Sequence, residues 1–141
     1  MEQLKKAEAL LRDGGYTCVL TDGTAVHTST QRGVKPLVQL LESGTNVTGF
    51  FAADKVVGRA TAYLYVLLGV RALYAQVISQ PAEAVLQAYG VCVRYDALVP
   101  NIINRAGDGI CPFEAAVMDC TTPGAAYEAI LQKMKQMNIT L

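Results

Sequence analysis

The sequence lacks tryptophan, has a single histidine, and has only 17% charged residues, with twelve basic side chains balanced by twelve acidic ones. Without a basic excess, the electrostatic footprint of a nucleic-acid-binding protein is missing, because such proteins bind by neutralising phosphates. Hydrophobic residues make up 52% of the 141 residues, which argues against disorder. The longest apolar block, 60–70, falls short of the roughly 20 residues that span a bilayer. We therefore expect neither a nucleic-acid nor a membrane partner.

Several motifs that would identify a reaction are also missing. The sequence contains no GxxxxGK[ST] loop, no GxGxxG after a predicted strand, no CxxC and no HExxH. His27 is the one histidine, so a histidine-rich zinc site or a Ser-His-Asp triad is hard to build. We interpret His27 as a structural or surface residue and expect no metal and no cofactor.

The N-terminus carries charged residues in place of the apolar stretch of a secretory signal. A cytoplasmic, reducing compartment is therefore the expected location, and the cysteines are expected to be free thiols. The four cysteines are Cys18, Cys92, Cys111 and Cys120.

The first third of the chain is predicted to form a helix, a hairpin and a second helix. Apolar residues recur at helical spacing over 2–13. The pair Asp22-Gly23 suits the positive φ angles of a tight turn, so 16–20 and 24–28 are predicted to form antiparallel strands. Pro36 favours the first turn of the second helix.

The middle of the chain is predicted to contain a short strand at 49–53 and then a third helix at 55–68. Asp54 is predicted to be the N-cap of this helix, because its carboxylate can accept bonds from free first-turn N–H groups. Apolar residues surround much of the helix circumference, which is typical of a helix buried on most sides. We therefore expect this helix to be central, and Gly69 to end it.

A strand–helix–strand unit follows. The apolar run 72–78 and the segment 91–95 read as strands, and a helix opened by a proline lies between them. Short joints of this kind predict parallel pairing with a right-handed crossover. Beyond a loop rich in asparagine and glycine, prolines are expected to open two more helices, at about 112–119 and 123–137.

Together these elements predict an α/β fold, a three-layer α/β/α sandwich whose mixed sheet begins with a hairpin and continues in parallel. No low-complexity segment, charge run or internal repeat interrupts the sequence. We therefore expect one domain over 1–141.

The order of these elements resembles the cytidine deaminase-like fold. In zinc deaminases, His-x-Glu opens the central helix and Pro-Cys-x-x-Cys opens a later one, so that the two helix N-termini hold zinc. Laid on this chain, the first motif falls at 54–56 and the second at 81–85, with Ala82 and Val85 at the two cysteine places. The resemblance implies the fold without the metal or the deaminase reaction.

The chain also resembles a small family of prokaryotic proteins known only as a domain of unknown function, with this fold and without its zinc. The resemblance covers most of residues 1–135 and implies no activity. The segments that carry it are STQRGVKPL at 29–37, ADKVVGRA at 53–60, VPNIINR at 99–105 and CPFE at 111–114.

Asp54 and Lys55 are the first candidate site residues. An N-cap beside a solvated lysine is the simpler interpretation. In the functional interpretation they lie at the mouth of the former deaminase cleft, where Asp54 accepts hydrogen bonds from a ligand and Lys55 meets an anionic or carbonyl group. The positive end of the helix dipole would also favour a neutral lysine, and so base or nucleophile chemistry.

The glycine loop before 112 supplies three more candidates, Asn104, Arg105 and Cys111. Backbone N–H groups at a helix start favour an anion, and an arginine can form a fork to a carboxylate or phosphate. A thiol next to a helix N-terminus can have a lowered pKa. The alternatives are a solvated glycine turn and an inert, buried thiol.

Two further positions complete the candidate ligand-binding set. Arg32, with Lys35 close by, offers positive charge just before the helix at Pro36, either as an anion-binding loop or as a solvated turn. Ser79 follows the predicted strand at 72–78 and opens the next helix, and we include it in the candidate ligand-binding set.

The remaining cysteines and tyrosines are assigned to packing. We expect Cys18 and Cys92, each within a strand, to be core residues. Three of the seven tyrosines are expected in the core or at an interface, not in base stacking: Tyr63, Tyr65 and Tyr74.

Three hypotheses of function follow, in order of preference. The first is a domain that binds a small polar or anionic ligand, such as a nucleoside or nucleotide, in the vacated cleft. The second is a metal-independent group-transfer enzyme using Lys55 or Cys111. The third is a structural subunit that forms a homo-oligomer, with the tyrosine-bearing helix extending into the interface.

Overall fold

A five-stranded mixed sheet organises the protein, in a computed structural model that describes residues 2–104 and 106–141. The elements in chain order are α1 (Glu2–Gly14), β1 (Cys18–Thr21), β2 (Val26–Ser29), α2 (Lys35–Glu42), β3 (Phe51–Val57), α3 (Arg59–Leu68), β4 (Ala72–Ser79), α4 (Gln80–Ala88), β5 (Cys92–Val99), α5 (Pro112–Ala116) and α6 (Pro123–Gln136).

The strand order is β2-β1-β3-β4-β5. β1 pairs antiparallel with both β2 and β3, and β3, β4 and β5 are parallel. The hairpin turn forms as expected, because the Asp22 carboxylate accepts the N–H groups of Thr24 and Ala25, both at 2.8 Å. Gly23 has the positive φ of 100° that the turn needs. The predicted hairpin and parallel strand–helix–strand unit are confirmed.

Helices cover both faces of the sheet. On one face, α1 buries Leu4, Ala7 and Leu11 against the sheet residues Val19 and Tyr74. On the other face, α2 to α6 contribute side chains to a larger core. The predicted α/β class, with a mixed sheet between helices, is confirmed. None of the helices in the described part of the chain is both long and apolar enough to cross a membrane.

The expected N-cap role of Asp54 is wrong. β3 runs through Asp54 to Val57, and α3 begins only at Arg59, after an N-cap glycine, Gly58, in extended backbone. The Asp54 carboxylate does accept a local N–H, but from Val56 at 3.3 Å, within the strand. Aspartate makes such bonds to residues two positions ahead as readily as it caps helices. The predicted burial of α3 is nevertheless confirmed, with seven of its ten residues buried.

The edge strand β5 also differs from its prediction. It extends to Val99 in place of Tyr95, and six of its eight residues are exposed. Cys92 is exposed for this reason, so its expected core position is wrong, whereas Cys18 is buried as expected. The tyrosine-bearing helix α3 buries Tyr63 and Tyr65, which leaves neither free for an interface.

Candidate functional site

A cleft of about 900 Å³ opens beside the carboxyl end of β3. The starts of α2 and α3 form two of its walls, and the segments 102–104 and 111–114 form a third. Small-molecule sites commonly have volumes of roughly 300–1,000 Å³. The cleft is therefore large enough for a small organic ligand.

Two side chains of the cleft wall, Cys18 and Asp54, belong to a hydrogen-bonded group of three whose third member, Tyr65, is buried behind them. Cys18 and Asp54 stand opposite each other across the antiparallel β1–β3 pair, and Tyr65 reaches both from α3. The Tyr65 hydroxyl donates to Asp54 Oδ2 at 2.7 Å and lies 3.3 Å from Cys18 Sγ. Since the one hydroxyl hydrogen points to Asp54, the thiol is the donor to the Tyr65 oxygen.

Burial raises the pKa of each of these three hydrogen-bonded side chains. The pKa of Asp54 rises from 3.8 to about 7, although the bonds from Tyr65 and from backbone N–H groups oppose the rise. The pKa of Cys18 is raised by burial and then by the nearby Asp54 charge. The pKa of Tyr65 rises for the same two reasons. Among the described residues only neutral donors bond to Asp54, so desolvation leaves this carboxyl group able to hold or release a proton near neutral pH.

Three basic side chains line the same cleft: Arg32, Lys35 and Lys55. Within residues 2–104 and 106–141, every ion pair involves Arg12 or Arg94 on the opposite side of the sheet. The cations of the cleft therefore lack carboxylate partners in this part of the chain. Unneutralised cations around a concave surface attract anionic groups.

Glu114 occupies the head of the central helix. Its carboxylate accepts the N–H of Arg59 at 2.7 Å and that of Ala60 at 2.9 Å, so it caps α3 from a distant segment. Carboxylates at this position gain from both the free N–H groups and the helix dipole. A Cβ on Gly58 would lie 2.5 Å from the Glu114 carboxyl carbon. Glycine at 58 therefore allows the carboxylate to approach.

Apolar side chains complete the lining of the cleft. Several are exposed, with Val56 at 47%, Ile103 at 54% and Met137 at 43%. Phe113 and Ile139 lie beside them in the wall. The surface thus offers an apolar area next to the basic groups, as a ligand with an apolar body requires.

Five of the seven candidates from the sequence line this one cleft: Arg32, Asp54, Lys55, Asn104 and Cys111. The Asn104 side chain is held by its own turn, accepting the N–H of Gly107 at 2.9 Å and donating to Asp108 at 2.9 Å.

Of the other two candidates, one lies away from the cleft and one is not described. Ser79 is fully buried and caps α4, accepting the N–H of Ala82 at 3.2 Å. Arg105 lies outside the described residues. His27 lies in a separate, shallower groove near β2, with its ring 6.0 Å from that of Phe50.

Sequence reasoning missed Tyr65, Cys18 and Glu114 as site residues. Tyr65 and Cys18 read as core, and they are buried, but their polar atoms bond to the cleft carboxylate. Glu114 gave no signal, because the helix it caps lies 55 positions earlier in the sequence. Among the described residues, no three His, Cys, Asp or Glu side chains are close enough together to hold a metal ion.

Comparison with known proteins gives a family without an activity. The family model TM1506, described as a domain of unknown function (DUF1893), matches residues 6–134. The crystal structure of a DUF1893 family protein, TM1506, from Thermotoga maritima is similar, with a TM-score of 0.87 and 28% sequence identity. The match covers 94% of this chain and 90% of that one. No curated protein matches the sequence.

Proposed function

Starting from the fact that this chain belongs to the DUF1893 family of unknown function, we propose that it binds a small anionic molecule with an apolar body in the cleft beside β3. A nucleotide-like compound has this combination of groups. The observation that carries the proposal is the convergence of Arg32, Lys35 and Lys55 with Asp54 around about 900 Å³ of partly apolar space.

The basic groups receive the anionic part of the ligand. They come from two elements, since Arg32 and Lys35 lie at the start of α2 and Lys55 lies on β3. A phosphate or carboxylate between them would make charge-assisted hydrogen bonds, which are about twice as strong as neutral ones. This arrangement supports an anion better than it supports a neutral sugar.

The apolar body and the polar edge of the ligand are assigned to the remaining walls. Val56, Ile103 and Met137 offer exposed apolar surface that a flat or aliphatic group would cover. Asp54, held by Tyr65, offers an oxygen for an N–H or O–H of the ligand. Buried polar groups that find a partner only in the correct ligand are the main source of selectivity.

A deaminase-like architecture without its metal is part of the proposal. It is supported by the neighbouring positions of two helix starts, because Val57 and Ile78 are register partners at the ends of β3 and β4. α3 and α4 each begin two residues after these positions, at Arg59 and Gln80. Ala82 is buried on α4, and the Glu114 carboxylate lies at the head of α3.

A thermal-shift series with matched compounds tests this function. The probes are nucleoside 5′-monophosphates, the corresponding nucleosides, ribose 5-phosphate and inorganic phosphate, each up to millimolar concentration. We expect the monophosphates to raise Tm by several degrees, since a ligand at 100 times its Kd stabilises by about 2.7 kcal/mol. The nucleosides and inorganic phosphate, each lacking one half of the ligand, should raise it less.

Two lysine variants make the series specific for the cleft. Lys55→Ala should weaken monophosphate binding about tenfold, equivalent to about 1.4 kcal/mol. Lys6→Ala is the control, because Lys6 is also an exposed lysine but lies on α1, across the sheet. Equal shifts for both variants, or no shift with any probe, would show that the cleft does not bind this class of molecule.

A further inference from the structure

The β5 edge, which is the free side of Cys92–Val99, is a long strand edge with nothing paired to it in the described part of the chain. β5 is the last strand in the sheet order and bonds only to β4. The strand at the opposite edge, β2, has only four residues. An exposed edge presents a row of free N–H and C=O groups, which is a template for another strand.

The β5 edge lacks part of the usual protection against pairing. Its sequence, CVRYDALV, contains no proline and no lysine, which commonly prevent strand addition, and its two charged residues, Arg94 and Asp96, are of opposite sign. Six of the eight residues are exposed, including Tyr95 at 38% and Leu98 at 39%. The strand is regular, apolar at both ends and open along its length.

We propose that the β5 edge pairs antiparallel with the β5 edge of a second copy, about a two-fold axis through Tyr95, giving a continuous ten-stranded sheet. The evidence for this partner is the charge pattern of the strand. Centred on Tyr95, the pairing places Arg94 opposite Asp96 of the partner subunit, and the symmetry makes this pair twice. Opposite charges directly across two strands stabilise the pairing.

The apolar residues match in the same register. Val93 lies opposite Ala97 of the partner subunit, and Cys92 lies opposite Leu98 of the partner subunit. Centring the axis on Arg94 or on Asp96 would instead place two like charges opposite each other, which is unfavourable. An in-register parallel pairing would also place like charges opposite each other, and it would not form a closed dimer. The pattern therefore favours one register of one symmetric pair.

The charged residues are already ordered but still accessible. On the α1 side of the sheet, Arg94 bonds to Glu8, and Asp96 accepts from Arg12 at 3.0 Å. The side chains of Arg94 and Asp96 nevertheless remain 49% and 52% exposed. Because their positions are fixed before assembly, little conformational entropy is lost when the second copy binds.

Sedimentation velocity with two tyrosine variants tests the assembly. We expect the wild type to show a species of about twice 15.1 kDa that dissociates on dilution. Tyr95→Lys places two lysines opposite each other at the axis and should raise the dimer Kd at least tenfold. Tyr89→Lys is the control, since Tyr89 is also exposed, at 46%, but lies beyond α4, outside the strand. A monomeric wild type, or a Tyr95→Lys dimer of unchanged Kd, would overturn the proposal.

Disulfide trapping tests the register in a Cys92→Ser background. Residues directly opposite across antiparallel strands have Cα atoms about 4.5–5.5 Å apart, within the range for a disulfide. Tyr95→Cys should therefore give a covalent dimer under mild oxidation. Val93→Cys alone should not, whereas Val93→Cys with Ala97→Cys should. Equal trapping by the single Val93→Cys variant would contradict the register. The Cys92→Ser parent shows whether the remaining thiols contribute.

Discussion

Two tyrosine–aspartate pairs lie on opposite faces of the sheet, with nearly identical geometry and different surroundings. Tyr65 donates to Asp54 at 2.7 Å, and Tyr74 donates to Asp96 at 2.6 Å. Arg12 completes the second pair, donating to Asp96 at 3.0 Å and to the Tyr74 oxygen at 2.7 Å. Within residues 2–104 and 106–141, no cation bonds to the first pair, where the third member is a buried thiol.

The difference shows what turns a hydrogen-bonded pair into a candidate site. A carboxylate matched by a guanidinium, as Asp96 is, joins α1 to the sheet and has a structural role. Asp54, in contrast, bonds only to neutral donors among the described residues, and burial raises its pKa to about 7. Desolvation at a cleft wall, together with perturbed protonation, is a common property of functional residues.

The largest effect is expected from removing the two tyrosine hydroxyls in turn. Tyr65→Phe leaves the Asp54 carboxyl group and the Cys18 thiol without their shared partner, which should cost about 1–3 kcal/mol of unfolding free energy. Tyr74→Phe leaves Asp96 with Arg12 and water, so its cost should stay below about 1 kcal/mol. Urea denaturation of both variants measures the difference. If Tyr74→Phe lowers the free energy of unfolding as much as Tyr65→Phe or more, the two tyrosine–aspartate pairs do not differ as described.

A third carboxylate sharpens the comparison, because backbone N–H groups neutralise Glu114 in place of a cation. Gly58→Ala would place a Cβ 2.5 Å from its carboxyl carbon. Since the Glu114 side chain can shift, we expect a loss of about 1–2 kcal/mol. Gly124→Ala is the control, as nothing lies within 4 Å of a Cβ there, and it should stabilise α6 by up to about 1 kcal/mol. Thermal unfolding of both variants measures these changes in stability. If Gly58→Ala is as stable as the wild type, Glu114 does not cap α3 tightly.

The smallest effect is the pH dependence due to Asp54. Between about pH 4 and 7 the folded state keeps the Asp54 proton that the unfolded chain has lost, so stability falls as pH rises. Asp54→Asn removes this dependence. Over that pH interval the free energy of unfolding of the wild type should fall by at least about 1 kcal/mol relative to that of the variant. Denaturation midpoints of both proteins at several pH values measure it.

Asp22→Asn provides a control with the opposite sign. Backbone bonds from Thr24 and Ala25 lower the pKa of Asp22, so its contribution is present above its ordinary pKa and is lost as pH falls. The free energy of unfolding of the wild type should therefore increase relative to that of Asp22→Asn as the pH rises from about 3. The same sign for both variants would contradict the assignment of Asp54.

Local patterns predicted most of the architecture and part of the site. Periodicity and turn residues were sufficient for the hairpin, the buried α3 and the parallel strands, because each depends on residues close in sequence. Arg32 was predicted at the cleft because it precedes α2, and Lys55 because it was placed at a helix start. Lys55 lies within β3 instead, but both side chains line the cleft.

The remaining features depend on contacts that no short segment contains. Asp54 was misassigned because one local carboxylate–amide bond fits both a helix N-cap and a strand. The Tyr65 hydroxyl meets Asp54 only through the packing of α3 on the sheet. The exposure of Cys92 follows from the position of β5 at the sheet edge, which the order of strands in sequence does not specify.

The most direct measurement is the titration of the Asp54 carboxyl group by ¹³C NMR, with its signal assigned by comparison with Asp54→Asn. We predict a midpoint near pH 7, since burial disfavours the charge and, in the described part of the chain, only neutral donors bond to Asp54. A midpoint near pH 4, the value of an ordinary solvated aspartate, would contradict the claim that this carboxylate stands uncompensated in the wall of the cleft.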